Sequence, residues 1–267
     1  MKKSLVIGAI ASLLAFSANT SQAGNKSLVV YYSQSSTTEK VAKIIQKKTG
    51  ADIERVKLVE DYSGDMGAVA GAFMKERQEN KFRDMQKMKA NVADYDTLYV
   101  GYPVWAGTIS GGMQSFLKST EIKGKVIIPF CTFGSGGNTS ITDLREALPG
   151  NEILSWYGVR QARVDKAEAE VESFLVDLGV LKGNKKVLPS FSAQRALTSD
   201  DKAVFDKACG SYPMPLGTPE SVSTRSIDNG TEYLFITSSK DMQGNESQQK
   251  IYVINAGGVP EFTQVER

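Results

Sequence analysis

Residues 28–38 read LVVYYSQSSTT, and they decide the fold of the first half of the chain. The apolar run 28–32 is typical of a strand that is buried on both faces of a parallel sheet. Apolar residues recur at helical spacing in 41–45, and Gly50 stands where a helix would end. The hydroxyl-rich residues 33–38 are therefore predicted to form the turn between a central strand and a helix.

Strand-like and helix-like segments continue to alternate after this stretch. Four more strands are predicted at residues 53–58, 97–101, 126–130 and 153–156, with helical segments between them. This alternation is the signal of βαβ units, in which helices cover both faces of a parallel sheet. We therefore expect an α/β domain with a doubly wound, five-stranded parallel sheet over residues 24–182.

The pattern changes after a polar, turn-forming segment that we interpret as a linker, residues 183–193. A helix capped by Thr198 or Ser199 comes first. Four strands follow, and Asn229-Gly230 is a strong hairpin signal between the first two. Residues 194–267 are thus predicted to form a small α+β domain with one helix on a four-stranded antiparallel sheet.

Composition excludes several classes of function. Lys and Arg total 32 and Asp and Glu total 30, and two of the lysines lie at the extreme amino terminus. This balance gives no electrostatic footprint for nucleic acid. The chain has no histidine, which removes His-based triads and His-ligated zinc. Cys131 and Cys209 have no CxxC spacing, so we expect two separate, buried thiols and no metal site.

The amino terminus has the pattern of a secretory signal peptide. Lys2 and Lys3 precede a mostly apolar stretch, residues 4–16, and Ser21-Gln22-Ala23 is a small-x-Ala cleavage site. The apolar stretch is shorter than the roughly 20 residues of a membrane-spanning helix. We therefore expect residues 1–23 to be removed, leaving a periplasmic or secreted protein with no permanent membrane span. A retained membrane anchor is the alternative.

The turn at residues 33–38 carries five hydroxyls in six residues. It precedes a helix, whose first N–H groups are unpaired and whose dipole is positive, so a phosphate group would suit it. A Walker-type site would need Gly-Lys-Ser/Thr, which is not present here. The alternative is that the turn only caps the helix, with Ser36 and Glu39 forming a capping box.

At this point the sequence resembles the flavodoxins over residues 27–181. Their first loop follows a Ser/Thr-x-Thr-Gly-x-Thr pattern around the FMN phosphate, and Ser36 stands here in place of the glycine. Residues 101–108, GYPVWAGT, look like the GYPIWWGT loop of a flavodoxin-like subfamily. Residues 132–138, TFGSGGN, are similar to the family's Gly/Ser-rich loop. The resemblance implies the strand order 2-1-3-4-5 and FMN as cofactor, at the carboxyl ends of the strands.

Carried over by position, the resemblance assigns the phosphate to the first loop and the isoalloxazine ring to the other two. Trp105 would pack on the ring, and backbone groups of the two later loops would contact its polar edge. The cofactor-binding residues implied are Ser33, Ser35, Ser36, Thr37, Thr38, Tyr102, Pro103, Val104, Trp105, Ala106, Gly107, Phe133, Gly134, Ser135, Gly136 and Gly137. No catalytic side chain and no metal ligand is expected.

The second domain resembles the cystatin-like modules of exported bacterial proteins, through residues 201–205 and 224–235. Protease-blocking cystatins carry Gln-x-Val-x-Gly in a hairpin. Residues 225–230 read RSIDNG and do not contain that pattern, so protease inhibition is not expected.

Two functions remain open at this stage. In the first, the protein is an exported FMN protein that acts in electron transfer or flavin-dependent reduction, with a redox partner protein or a small-molecule acceptor. In the second, an FMN-free module keeps the flavodoxin fold and the C-terminal domain contacts a partner protein. Ser36, Ala106 and Phe133, where the chain departs from the family pattern, favour the second hypothesis.

Overall fold

A computed structural model describes residues 26–240 and 246–266 of the chain. The predicted signal peptide, residues 1–23, lies outside the described residues. Within the part described, no helix has the length and apolar character needed to cross a bilayer.

The first sheet consists of strands that run parallel to one another, except for the short strand Thr108–Ile109, which pairs antiparallel with the strand before it, and helices lie between the strands. Its strands are β1 Ser27–Tyr31, β2 Asp52–Arg55, β3 Thr97–Trp105, β4 Thr108–Ile109, β5 Val126–Phe133, β6 Glu152–Ile153 and β7 Tyr157–Arg160. Its helices are α1 Thr37–Thr49, α2 Met66–Glu79, α3 Gly111–Ser119, α4 Asn138–Ala147 and α5 Ala167–Asp177. The strand order β2-β1-β3-β5-β6 confirms the predicted doubly wound arrangement.

Strand β1 lies at the centre of this sheet and is buried on both faces. Leu28 and Val30 pack into one hydrophobic core, and Val29 and Tyr31 pack into the other. This alternation is what the pleat of a strand imposes when both faces are covered. The prediction that residues 28–32 form a strand buried on both faces is therefore confirmed.

The fifth strand is not the single segment predicted at residues 153–156. The chain pairs with β5 through β6, leaves the sheet, and pairs with β5 again through β7. Ile153 and Trp156 pack into the same core, although they are three residues apart. A regular strand would place them on opposite faces, so the strand is interrupted between them.

The segment between β2 and β3 is longer than a simple crossover and folds over one side of the sheet. Asp65 caps α2 by accepting a hydrogen bond from the N–H of Ala68, and Phe73 is buried beneath the helix. Arg83 donates to a carboxylate oxygen of Glu76 and to the carbonyls of Glu60 and Asp61. These contacts hold the parts of the segment to one another.

The C-terminal part is a second, antiparallel sheet packed on one helix, α6 Ser199–Cys209. The sheet has five strands and not the four predicted, because two residues after the linker pair with its edge. The strands are β8 Arg195–Ala196, β9 Thr218–Ile227, β10 Gly230–Lys240, β11 Glu246–Ala256 and β12 Val259–Glu266. The core contains Phe205, Val222 and Phe235, with Ile251 and Val253 from β11.

The predicted hairpin between β9 and β10 forms, but its turn lies one residue earlier than Asn229-Gly230. Ile227 pairs with Gly230, so Asp228 and Asn229 are the two central residues. Asn229 has a φ of 61° and supplies the left-handed conformation. Gly230 belongs to the strand, where a Cβ atom would lie 2.0 Å from the carbonyl oxygen of Asn255.

Thr198 is the N-cap of α6, which confirms one of the two predicted caps. Its hydroxyl accepts from the N–H of Asp201, and the carboxylate of Asp201 accepts from the N–H and hydroxyl of Thr198. Arg195 donates two hydrogen bonds to the same carboxylate, at 2.6 and 3.0 Å. The Arg195 hydrogen bonds hold the pKa of Asp201 low, at about 2.

We therefore predict a stability loss on Asp201→Asn. Because the folded-state pKa lies below the unfolded value of 3.8, this stabilisation is present above about pH 4 and is lost as the pH falls toward 2. The variant should lower the free energy of unfolding at neutral pH by about 1–2 kcal/mol, measured by urea denaturation. Asp200→Asn, at the exposed neighbouring position, is the matched control and should change it little. Equal losses for the two variants would contradict the cap assignment.

Candidate functional site

The three loops picked out from the sequence meet at the carboxyl edge of the first sheet. Strand β1 pairs with β3, and β3 pairs with β5, so their ends are adjacent. The N–H of Tyr32 donates to the carbonyl of Gly101 at 3.0 Å. The hydroxyls of Thr38 and Thr132 are 2.8 Å apart, which ties the start of α1 to the end of β5. The structure thus brings together segments that are 94 residues apart in the chain.

The first loop turns on Ser36, which has a φ of 62° and a ψ of −1°. This left-handed conformation costs a non-glycine residue about 1–2 kcal/mol, and it explains why the resembled pattern has glycine here. Ser36 therefore adopts a conformation that is open to glycine, although at a steric cost. This steric cost falls at the point where the chain turns into α1.

The capping box between Ser36 and Glu39, which was the alternative interpretation of this turn, does not form. Ser36 makes no side-chain hydrogen bond at the helix start, and the hydroxyl of Ser33 accepts the N–H of Glu39 instead, at 3.3 Å. The carboxylate of Glu39 is turned toward Lys43 and Arg55. An N-cap residue normally has extended backbone, and the left-handed conformation of Ser36 does not provide that geometry.

The hydroxyls of the loop fall into two groups. Ser33, Thr37 and Thr38 are buried, whereas Ser35 and Ser36 are exposed. The Ser35 hydroxyl lies 3.3 Å from that of Thr37. The first N–H groups of an α-helix have no acceptor within the helix, so α1 presents donors at the same place. This set of N–H and hydroxyl donors fits a phosphate group and would not need a basic side chain within the loop.

Arg55, at the carboxyl end of β2, is a residue of this site that the sequence reasoning missed. One guanidinium nitrogen donates to the carbonyl of Ser33 at 2.7 Å, and another lies 3.6 Å from the Glu39 carboxylate. Arg55 therefore restrains the first loop through the carbonyl of Ser33 and adds positive charge beside that loop. The position of Arg55 at the end of β2, the strand next to β1, is the feature of the sequence that could have identified it.

The second loop is shorter than the resemblance implied. Residues Tyr102 to Trp105 belong to β3, which forms a hairpin with β4. The turn consists of Ala106 and Gly107, which have φ values of 47° and 79°. Two successive positive φ values are what a two-residue hairpin turn of type I′ requires. Ala106 is thus a turn residue, and the side chain of Tyr102 is fully buried, leaving only its backbone near the edge.

Trp105 lies among three aromatic rings. Its centroid is 4.9 Å from that of Tyr62, 5.4 Å from Phe73 and 5.9 Å from Tyr32, and all three pairs are edge-to-face. These contacts make Trp105 a packing residue on that side, while its side chain stays partly exposed. The segment between β2 and β3 therefore sets the orientation of the ring, which the sequence did not indicate.

The Tyr32 hydroxyl is buried at the base of this aromatic group. Its single proton is shared between two acceptors, the Gln34 side-chain oxygen at 2.6 Å and the Asp61 carboxylate at 2.7 Å. The Gln34 side-chain nitrogen donates to the carbonyl of Tyr62. Burial, and then the hydrogen bond to Asp61, raise the pKa of Tyr32 well above its ordinary value. Tyr32 thus stays protonated and links the first loop to the segment that covers Trp105.

The third loop follows β5, which extends to Phe133. The Phe133 side chain is buried, and its ring packs against Gly137 and Gly158. Only its backbone can therefore face a ligand, as the resemblance implied. The loop itself, residues 134–137, is partly exposed except at Gly137.

Both cysteines are free and buried, which confirms the prediction of two separate thiols. Burial raises the pKa of Cys131 well above its ordinary value and that of Cys209 to about 12. Neither is a thiolate at physiological pH. Within the described part of the chain, no cluster of three or more Cys, Asp or Glu residues is arranged to hold a metal ion.

Three grooves on the surface are all lined by residues from the stretch 82–95, away from the three loops. The largest of them has a volume of about 710 Å³ and is lined by Lys87, Lys89, Lys123 and Lys125. It lies at the amino ends of β3 and β5. Ligands of doubly wound sheets bind at the opposite edge, so we place the candidate site at the loops.

Comparison with known proteins supports this fold. Residues 26–156 match the sequence model of a family described as Flavodoxin. The strand order of this part of the chain is that of a flavodoxin-type sheet. Among curated proteins, none matches the chain.

Solved structures with a similar fold include several flavoproteins. One from Lactobacillus acidophilus, solved in complex with FMN, is 24% identical, with a TM-score of 0.46 over 53% of this chain and 97% of its own. A candidate flavoprotein of Bacteroides uniformis is 22% identical, with a TM-score of 0.49 over 56% of this chain and 99% of its own. Oxidised flavodoxin 2 of Bacillus cereus is 17% identical, with a TM-score of 0.38 over 57% of this chain and 99% of its own.

The left-handed Ser36 leads to a stability prediction. Ser36→Gly should raise the free energy of unfolding by about 0.5–1 kcal/mol, because glycine adopts a positive φ without the steric cost that serine bears. Ser35→Gly is the matched control, since Ser35 is not at a positive φ. There glycine only adds freedom to the unfolded chain, and stability should fall. Thermal or urea unfolding checks both signs, and a loss for Ser36→Gly would refute the strain assignment.

Proposed function

We propose that the three loops bind FMN and that the protein is an exported flavoprotein acting in electron transfer or flavin-dependent reduction. The first loop would hold the phosphate, and the hairpin at Trp105 and the loop at residues 134–137 would flank the isoalloxazine ring. The observation that carries the proposal is the left-handed turn at Ser36. It gives the first loop the path that the resembled pattern obtains from glycine, with hydroxyl and N–H donors gathered at the start of α1.

The protein's own residues would bind and orient the cofactor, while FMN supplies the redox chemistry when it is bound. Ser35, Ser36 and Thr37 would donate hydrogen bonds to the phosphate, and Arg55 would hold the loop in place and offset part of the charge. Trp105 would offer an aromatic surface whose orientation is fixed by its three aromatic neighbours. Tyr32 and Cys131, held protonated, would take no part in acid–base steps.

The remaining elements of the proposal concern location and partners. The signal-like residues 1–23 would direct the protein to the periplasm or the exterior. The C-terminal domain, which we compare with cystatin-like modules through its helix and antiparallel sheet, would contact a partner protein. Electrons would pass to a redox partner protein or a small-molecule acceptor.

The phosphate assignment predicts a difference between two ligands. Thr37→Val removes a hydroxyl from the first loop with little change in shape, so the dissociation constant for FMN should rise about 10-fold or more. Binding of riboflavin, which has no phosphate, should stay unchanged. Fluorescence titration of both flavins measures this directly. Thr49→Val, at the other end of α1, is the matched control, because the Thr49 hydroxyl bonds only neighbouring backbone groups, the carbonyl of Ile45 and the N–H of Ala51.

Two results would overturn the assignment. Equal weakening of FMN and riboflavin by Thr37→Val would place the phosphate elsewhere. Purified wild-type protein that is colourless and takes up no added FMN would remove the flavin function and leave the FMN-free docking module.

Export gives a separate prediction. The mature protein should be recovered from the periplasmic or extracellular fraction, with Gly24 as its first residue, by amino-terminal sequencing or intact mass. Replacement of Lys2 and Lys3 by Glu should reduce export, because a positive segment precedes the apolar core of a signal peptide. Full-length protein in the cytoplasm would contradict the export proposal and leave the flavin site untouched.

A further inference from the structure

The loop at residues 134–137 is held by one contact from the first sheet and one from the C-terminal domain. Arg160, the last residue of β7, donates through Nε to the carbonyl of Gly134 at 2.8 Å. The N–H of Val265, in β12, donates to the carbonyl of Ser135 at 2.9 Å. Two consecutive peptide groups of the loop are thus fixed, one by the first sheet and one by the second.

Arg160 also joins the two domains to each other. Its Nη1 donates to the carbonyl of Phe262 at 2.8 Å, and its guanidinium lies over the rings of Phe262 and Tyr212, at 4.2 and 5.1 Å. In the described part of the chain its hydrogen-bond acceptors are carbonyls and not carboxylates. Burial lowers the pKa of Arg160 from its ordinary value, although an arginine stays protonated.

A second contact joins the two domains close to Arg160 in the sequence. Arg163 donates to the carboxylates of Glu170 and Glu261, which belong to the first and second parts of the chain, at 2.8 and 3.1 Å. The Arg163 side chain is only 12% exposed. The position of β12 against the loop is therefore fixed by partly buried, charge-assisted hydrogen bonds.

Gly136 shows how closely β12 approaches. A Cβ atom there would lie 2.2 Å from the carbonyl oxygen of Val265, which is backbone and cannot rotate away. At Gly134 a Cβ atom would meet no atom within 4 Å. The glycine at 136 is thus required by the docking of the C-terminal domain.

The geometry of the peptide bond determines what this docking does to the loop. In a trans peptide the carbonyl and the following N–H point in opposite directions. With the carbonyls of Gly134 and Ser135 turned to Arg160 and Val265, the N–H groups of Ser135 and Gly136 point the other way. Strand β7 lies on one side of β5, and β3, which carries the Trp105 hairpin, lies on the other.

We propose that Arg160 is a positioning residue, through which the C-terminal domain presets two N–H donors of the third loop for the polar edge of the flavin ring. This inference rests on the proposed FMN site and adds a role for the second domain within it. Because these N–H donors are already fixed before the flavin binds, binding does not cost the conformational entropy of ordering them, and the affinity is higher. Their dipoles also favour the reduced flavin, which carries more negative charge than the oxidised form.

The test uses the full-length protein with Arg160→Met and Arg160→Lys. Both variants should weaken FMN and riboflavin equally, by about 10-fold, because the ring is common to the two ligands. Both should shift the flavin reduction potential to more negative values. Arg160→Lys keeps the charge but cannot hold two carbonyls in one plane, so it should behave like Arg160→Met. Lys47→Met, which removes a charge that is 78% exposed on α1, is the control and should change neither quantity.

A measurement without flavin tests the same idea independently. Amide hydrogen exchange at Val265, whose N–H donates to the carbonyl of Ser135, should be faster in Arg160→Met than in wild type, because the loop has lost its anchor. Gly136→Ala should also increase exchange at Val265, whereas Gly134→Ala should not.

The outcomes separate this inference from the proposed function. Wild-type protein that binds neither flavin overturns both. Wild-type protein that binds FMN, with unchanged affinity, potential and Val265 amide exchange in Arg160→Met, overturns the positioning role alone. Wild-type behaviour in Arg160→Lys would show that the charge acts at a distance, and would likewise refute positioning through the carbonyls.

Discussion

The burial of β1 on both faces is the constraint on which the rest of the structure depends. Because Leu28 and Val30 pack on one side of the sheet and Val29 and Tyr31 on the other, β1 has to lie between β2 and β3 with helices above and below. Parallel strands then end at a common edge, and the loops after β1, β3 and β5 meet there. The candidate site follows from this arrangement before any side chain within it is considered.

The loops at this edge are shaped mainly by the backbone. Ser36 and Ala106 both take positive φ values, and each stands at a departure from the flavodoxin-like pattern. In both places the surroundings hold the residue in a conformation that glycine would adopt more easily. The departures therefore cost some stability and do not change the path of the chain. Buried hydroxyl and guanidinium contacts, such as Thr38 to Thr132 and Arg55 to Ser33, supply the restraint.

The loop after β5 is also restrained through its backbone, in this case partly by the second domain. A flexible, glycine-rich loop has many accessible conformations, and binding would have to select one of them. Here the carbonyls of that loop are already engaged by Arg160 and by the N–H of Val265. The C-terminal domain thus acts on the site without placing a side chain in it, which gives a physical reason for the two domains to occur in one chain.

The resemblance to flavodoxins indicated the loops after β3 and β5. Local pattern in the sequence determined the order of strands and helices along the chain, the central position of β1, the caps at Gly50 and Thr198, the two buried thiols and the hydroxyl-rich turn after β1. These depend on residues close in the chain, so periodicity and turn chemistry can report them. Only the tertiary structure decided the interruption of the fifth strand at Trp156, the fifth strand of the second sheet, the aromatic surroundings of Trp105, and the roles of Arg55 and Arg160. Each of these depends on which distant side chain fills a given space or reaches a given carbonyl, and no local pattern encodes that choice.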